Sequence, residues 1–231
     1  MKRFYKEAAA VAVDGGFGVA LDGRKIKTVG GRAQVVPTAA LAEAMAAEWA
    51  AQGDEIDPAL FMFRDMADYA IDVVAQDTSA VVADLVPYAE TDTLCYRAEP
   101  DEPFAARQRL MWEPLLTATE ARLDVAFVRV TGIMHKPQNP QAIAAMKAEI
   151  DRLDAFQLAA LQNTTSLAAS LIIGLAALAN DADLDALWDA ANLEEDWQAE
   201  LWGKDEEALE RRARRAAGFA AAARFAGLAR G

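Results

Sequence analysis

The chain has 231 residues, enough for one large domain or two small ones, and 54% of them are hydrophobic, so a sizeable core can be buried. Its formal net charge is −13, which makes phosphate backbones and anionic lipid heads poor partners and a basic protein surface a better one. A single cysteine, Cys95, and a single histidine, His135, exclude an internal disulfide and a one-chain Cys/His zinc site, and they point to a reducing compartment.

The start, MKRFYKEAAAVAV, is charged, but its short apolar run is broken by Asp14-Gly15-Gly16 and does not make a signal peptide. Strand signals follow through residue 36. Phe17 to Leu21 and Lys25 to Val29 flank Asp22-Gly23, a strong hairpin signal. Asp14-Gly15-Gly16 marks an earlier turn, Gly30-Gly31 a later one, and Gln34-Val35-Val36 allows a further strand. The expectation is a small antiparallel sheet of three to five strands. Neither a dinucleotide fingerprint nor a P-loop occurs, so these glycines read as turn residues. Thr38 then caps a helix on which Leu41, Met45 and Trp49 share one face. Trp49 reads as a core anchor packed on the sheet. Asp54 to Pro58 is a turn.

Leu60 to Val74 reads as an amphipathic helix and Asp77 to Tyr88 as another. Asp65, Asp68 and Asp72 fall on one stripe. Such carboxylates can hold a cation or do acid–base work, but in an acidic protein they read as a solvated face. Cys95 as a nucleophile would need His135 as its base, and no further signature supports that pair, so it reads as a buried, inert thiol. Trp112-Glu113-Pro114 sets a kink or a helix start near Pro114. Leu123 to Ile133 reads as a strand or an extended connector, and from Gln141 a helix restarts.

Leu153 to Ala179 is the most apolar stretch. Leu153, Phe156, Ala160 and Leu161 line one helical stripe, and the run from Ser166 is apolar nearly all round. Spanning a membrane needs about 20 apolar residues, and Gln162 to Thr165 interrupts the run. It reads as a core helix or helix pair. Asp181 to Glu210 holds twelve acidic residues and one lysine, Lys204. Leu184, Leu187, Trp188 and Ala191 give a short amphipathic helix. Asn192 stands where it can cap the next, with Glu194 and Glu195 in its first turn. Glu207 with Arg211, and Glu210 with Arg214, are spaced for pairing within the last helix. The acidic segment before them shows no local partner.

Several strings, spread over most of the chain, carry a resemblance: RFYKEA, LDGRKIKT, VVPTAALAEAMAAEWAAQGDEIDP, DTLCYRAE, QRLMWEPLL, VTGI, LDAFQLAAL and WGKDEEA. In this order and spacing they resemble the ATP12 family, assembly chaperones for the F1 part of ATP synthase. The resemblance implies an α+β protein of two domains: a small N-terminal antiparallel sheet with its helix, residues 1–58, and a larger all-helical C-terminal domain, residues 59–231. It implies a non-enzymatic role without cofactor or metal, in which the free α subunit of F1 is bound before α and β assemble. The start close to RFYKEA fits a bacterial member acting in the cytoplasm, where mitochondrial relatives act in the matrix. The family's W-G-x-x-E pattern falls on Trp202, Gly203 and Glu206, with a further acidic position on Glu210. Trp202, Glu206, Glu207 and Glu210 are thus expected to bind the partner, and Gly203 and Trp49 to be structural. A carboxylate-based enzyme, with or without a metal, and a scaffold that stays on the finished complex are the competing readings.

Overall fold

The computed structural model describes residues 1–132, 134–203 and 206–231. The two Asp-Gly signals each close a two-residue turn. β1 (Ala8–Val13) pairs antiparallel with β2 (Gly16–Leu21), and β2 with β3 (Arg24–Lys25). At the second turn Asp22 (φ 46°) and Gly23 (φ 78°) are both left-handed, the geometry that matches strand twist in a hairpin. The three-stranded sheet meets the expectation. β3 is shorter than Lys25 to Val29, because the chain turns at Thr28–Arg32 and is captured from outside the sheet, as described below. Val36 instead exchanges two backbone hydrogen bonds with Phe17 (2.9 and 2.8 Å) as a single bridge. That segment passes so close over β2 that a Cβ on Gly18 would meet the Gln34 carbonyl at 2.8 Å.

Thr38 caps α1 (Ala39–Ala50) by accepting from the Leu41 N–H at 3.1 Å. The apolar face packs inward: Leu41, Ala42 and Met45 are fully buried. Trp49 is buried too, against Tyr5 (5.4 Å) and Phe61 (4.5 Å). The next helix, α2 (Met62–Asp72), has no cap of its own at Phe61. Glu48 of α1 supplies one, accepting from Phe63 N–H (2.6 Å) and Arg64 N–H (2.9 Å). Two carboxylates of the predicted acidic stripe are engaged, which corrects the solvated-face reading. Asp68 is buried and accepts from the Gln34 amide (2.6 Å) and Val29 N–H (3.0 Å). Asp72 accepts from the Thr28 hydroxyl (2.8 Å), Gly30 N–H (2.7 Å) and Arg32 (3.1 Å). Together they hold the turn that ends β3. The first compact unit comprises Met1–Thr78, Asp154–Ala160 and Ala221–Gly231.

The second unit comprises Ser79–Leu153 and Leu161–Ala220. α3 (Thr78–Leu85) and α4 (Pro87–Glu90) lead to β4 (Tyr96–Arg97), then α5 (Pro103–Leu123) and β5 (Val130–Thr131). Pro114 lies inside α5, so the start is at Pro103, where a missing N–H costs nothing. β4 and β5 pair in parallel, a small addition to an otherwise helical region. Of Leu123 to Thr131, only Val130–Thr131 is strand; Ile133 lies outside the described residues. α6 (Pro140–Ile150) follows, capped by Asn139, which accepts from Gln141 N–H at 3.0 Å.

The apolar stretch becomes two helices, α7 (Ala155–Ala168) and α8 (Leu171–Ala177). Ala169 is left-handed (φ 49°) and Ser170 caps α8, accepting from Ile173 N–H at 3.1 Å. α9 (Leu184–Ala191), α10 (Leu193–Trp202) and α11 (Glu206–Arg230) complete the chain. Residues of α7 and α11 fall in both units. No helix among the described residues is long and apolar enough to cross a membrane.

Candidate functional site

The partner-binding residues expected from sequence gather at the junction of α10 and α11. Early in α10, Trp197 stacks on Phe104 of α5 (5.6 Å), and Arg107 lies over Trp197 (5.4 Å) while pairing with Glu200 (2.5 Å). Beyond Glu200 the packing stops. Leu201 is exposed, and Trp202 is 78% exposed. Gly203 then ends α10 with φ 97°, a conformation that L side chains rarely adopt. Its N–H still donates to Ala199 carbonyl at 3.0 Å. Lys204 and Asp205 lie outside the described residues.

α11 opens with Glu206 and Glu207, carboxylates placed where the helix dipole favours them. Glu207 pairs with Arg211 and Glu210 with Arg214, both at 3.7 Å between exposed side chains. Pairs this long and this wet contribute about 0–1 kcal/mol, so an incoming cation can displace them. Glu206 makes no ion pair among the described residues. The end of α10 thus exposes an indole and a leucine, and the start of α11 carries three carboxylates, two of them weakly paired.

The acidic segment before it does find partners, contrary to the reading of its sequence. Arg212 pairs with Asp196 (2.5 Å) and Asp189 (3.4 Å), and Arg215 reaches Glu195 (3.5 Å). The last helix, 16 to 23 residues further on, brings these arginines back. Asn192 stands at the start of α10 but does not cap it; its side chain donates instead to Trp188 carbonyl at 2.8 Å.

Three of the family-like strings converge elsewhere, around β4, α5 and β5. Gln108 is buried and completes the edge of β4: it accepts from Ala98 N–H (2.8 Å) and donates to Tyr96 carbonyl (3.4 Å). Gln138 does the same for Val128, at 2.8 and 3.0 Å. These side-chain amides take the place of a neighbouring strand. Glu113 accepts from Arg97 (2.9 Å) and Arg129 (2.5 Å) on its two oxygens, and Arg129 also binds Glu120. Burial pushes Glu120 up, but the bonds from Arg129 and the Phe127 N–H outweigh it and hold the carboxyl below its usual range. The hydrogen bond to Glu120 is also the main reason that Arg129 is held above its ordinary value. Burial draws Arg97 down.

Asp92, fully buried, ties this region to the α7–α8 break. It accepts from Leu94 N–H (3.1 Å), Ser170 hydroxyl (2.7 Å) and Ile172 N–H (3.0 Å). Burial still wins and raises its pKa to about 6. Cys95 is buried beside it, and burial and Asp92 push its thiol up to about 12. A thiol so poised is not a nucleophile at neutral pH.

Sequence reasoning missed this cluster. Its arginines and glutamates are 16 and 9 residues apart, and two-residue strands show no periodicity. The available signal was the density of Arg, Glu and Gln among otherwise apolar strings. The carboxylates Asp65, Asp68 and Asp72 do not make a metal centre, and no group of three or more His, Cys, Asp or Glu side chains among the described residues is placed to hold an ion.

An α+β protein of this build presents, at the α10–α11 junction, exposed apolar and acidic side chains of the kind that protein partners cover. The model of the ATP12 chaperone protein family matches residues 2–120. Crystal structures of Atp12 from Paracoccus denitrificans, unmodified and as a mutant, are each 36% identical with a TM-score of 0.92; both cover 99% of this chain, and it covers 98% and 97% of theirs. The mitochondrial atp12 protein of Schizosaccharomyces pombe is 25% identical over 222 residues, 90% of this chain and 76% of that protein. The chain therefore belongs to the ATP12 family, the chaperones of ATP synthase assembly.

Proposed function

We propose that this chain is a non-enzymatic chaperone that holds the unassembled α subunit of F1 through the α10–α11 junction, in the cytoplasm of a bacterium. The observation that carries the reading is Trp202: 78% exposed, beyond the last packed turn of α10, and a few residues before Glu206, Glu207 and Glu210 in the sequence. Tryptophan is among the residues most enriched at the anchor positions of protein interfaces. The carboxylates give the rim, steer a basic surface, and discourage association between copies of a chain with net charge −13.

The test is a tagged pull-down from the native cell, with the bound chains identified. F1 α without β supports the reading. Intact F1 identifies a scaffold, and no ATP synthase subunit reopens the carboxylate-enzyme reading. Trp202→Ala is expected to weaken capture of purified α subunit by about tenfold or more, the effect of a central tryptophan anchor. Charge reversal at Glu206 that leaves both folding and α-subunit binding intact removes that residue from the site.

A further inference from the structure

A cleft of about 220 Å³ opens beside β4 and β5, and its floor and walls include Arg97, Arg109, Arg129 and Glu113. In a chain of net charge −13, three guanidinium groups around one small cavity form an island of positive charge. Two are anchored. Arg97 is held by Glu113, by the Leu94 carbonyl (3.0 Å) and over the Trp112 ring (5.6 Å), using Nε and Nη2 and leaving Nη1 uncommitted. Arg129 is held by Glu120, Glu113 and the Phe127 carbonyl. Arg109 is different: it stands exposed at the cleft with no hydrogen bond or ion pair among the described residues.

We propose that this cleft receives one carboxylate of the bound client polypeptide, an acidic side chain or a chain terminus, on Arg109 and the free Nη1 of Arg97. The inference rests on the reading of the chain as a protein-binding chaperone, and it adds a second contact of opposite charge to the acidic junction. Guanidinium forks match carboxylates in shape and charge, and the site already demonstrates the match, since Glu113 bridges Arg97 and Arg129 on its two oxygens. Three arginines against Glu113 and Glu120 leave one net positive charge, which suits a monoanion. Glu113, 40% exposed at the cleft, repels a dianion such as phosphate. Ala98, Pro100 and Ala105 line the remainder and suit the methylenes of a glutamate. In a chain of net charge −13, a client carboxylate that gains here helps to fix the register of the bound segment.

The experiment titrates full-length chain, with arginine Nε–H groups followed by NMR, against three probes. N-acetylglutamate amide carries only a side-chain carboxylate, N-acetyl-alanyl-alanine only a terminal one, and inorganic phosphate carries neither. The expected result is a saturable shift of the Arg109 and Arg97 signals with a carboxylate probe, with Kd on the order of millimolar, as for a single charge-assisted pair. Whichever of the two carboxylates binds names the source. Arg109→Glu, on an exposed residue, should leave the unfolding midpoint unchanged, abolish the shift and weaken capture of the α subunit about tenfold. A shift with phosphate alone, no saturable shift with any probe, or full α-subunit affinity in Arg109→Glu overturns the proposal. Failure of the unmodified chain to bind the α subunit would instead count against the client, while the probe titration still decides the cleft.

Discussion

Asp92 shows how one side chain can set both a helix boundary and a pH dependence. Its oxygens receive the Ser170 hydroxyl and the Ile172 N–H, so the α7–α8 break is specified from 78 to 80 residues away. Its folded pKa, about 6, lies above the unfolded value of 3.8. Between these values the folded chain binds more protons than the unfolded one. Stability from this group is therefore fully present below about pH 4 and falls as pH rises towards 6. Asp92→Asn keeps one acceptor but aims an amide donor at another N–H. It should be destabilised at both pH 5 and pH 7, with a deficit about 1 kcal/mol larger at pH 5, where the native carboxyl is mostly protonated. Urea midpoints of the two proteins at the two pH values check this. An equal deficit at both would mean that Asp92 does not titrate in this window.

At the scale of elements, local signals were legible and imported ones were not. The hairpins, the Thr38 cap and the Leu41–Met45–Trp49 face are written in neighbouring residues, and the structure carries them as read. The acidic stripe of α2 was misread, because its role is to receive the N–H groups of a turn some 40 residues earlier. The arginine cluster was invisible, since a parallel pair with a helix between its strands leaves no hairpin signal. The α10–α11 junction was legible only through its family-like string; periodicity alone gives no reason to leave Trp202 outside.

Two expectations belong to this scale. Asp72→Ala should speed amide exchange at Gly30 while α2 stays protected, because the carboxylate accepts that N–H at 2.7 Å and a methyl group cannot. Exchange at Gly30 unchanged would show that the turn holds itself. Gly174→Ala should lower stability by about 1–3 kcal/mol, since a new Cβ there collides with the side chain of Thr165, whose backbone lies only 3.1 Å away. Thermal unfolding reads that loss directly.

For the whole molecule, the ends of the chain are stitched together. The Thr38 hydroxyl, at the cap of α1, donates to the Leu228 carbonyl at 2.5 Å across 190 residues. Phe225 is fully buried and lies near Phe63 (6.4 Å) and Phe156 (6.1 Å). Removal of Ala221–Gly231 should therefore unfold the N-terminal unit rather than merely fray a tail, with loss of the near-ultraviolet signal of Trp49 as the readout. A retained signal would show that Met1–Thr78 is self-sufficient.

The same stitch orders events during synthesis. The sheet, α1 and α2 are made before the second unit, yet Phe225, which lies near Phe63 of α2, comes after it. Until α11 is made, Phe63 and Phe156 lack the ring that lies against them, so the first unit must wait with apolar surface open while the second is synthesised.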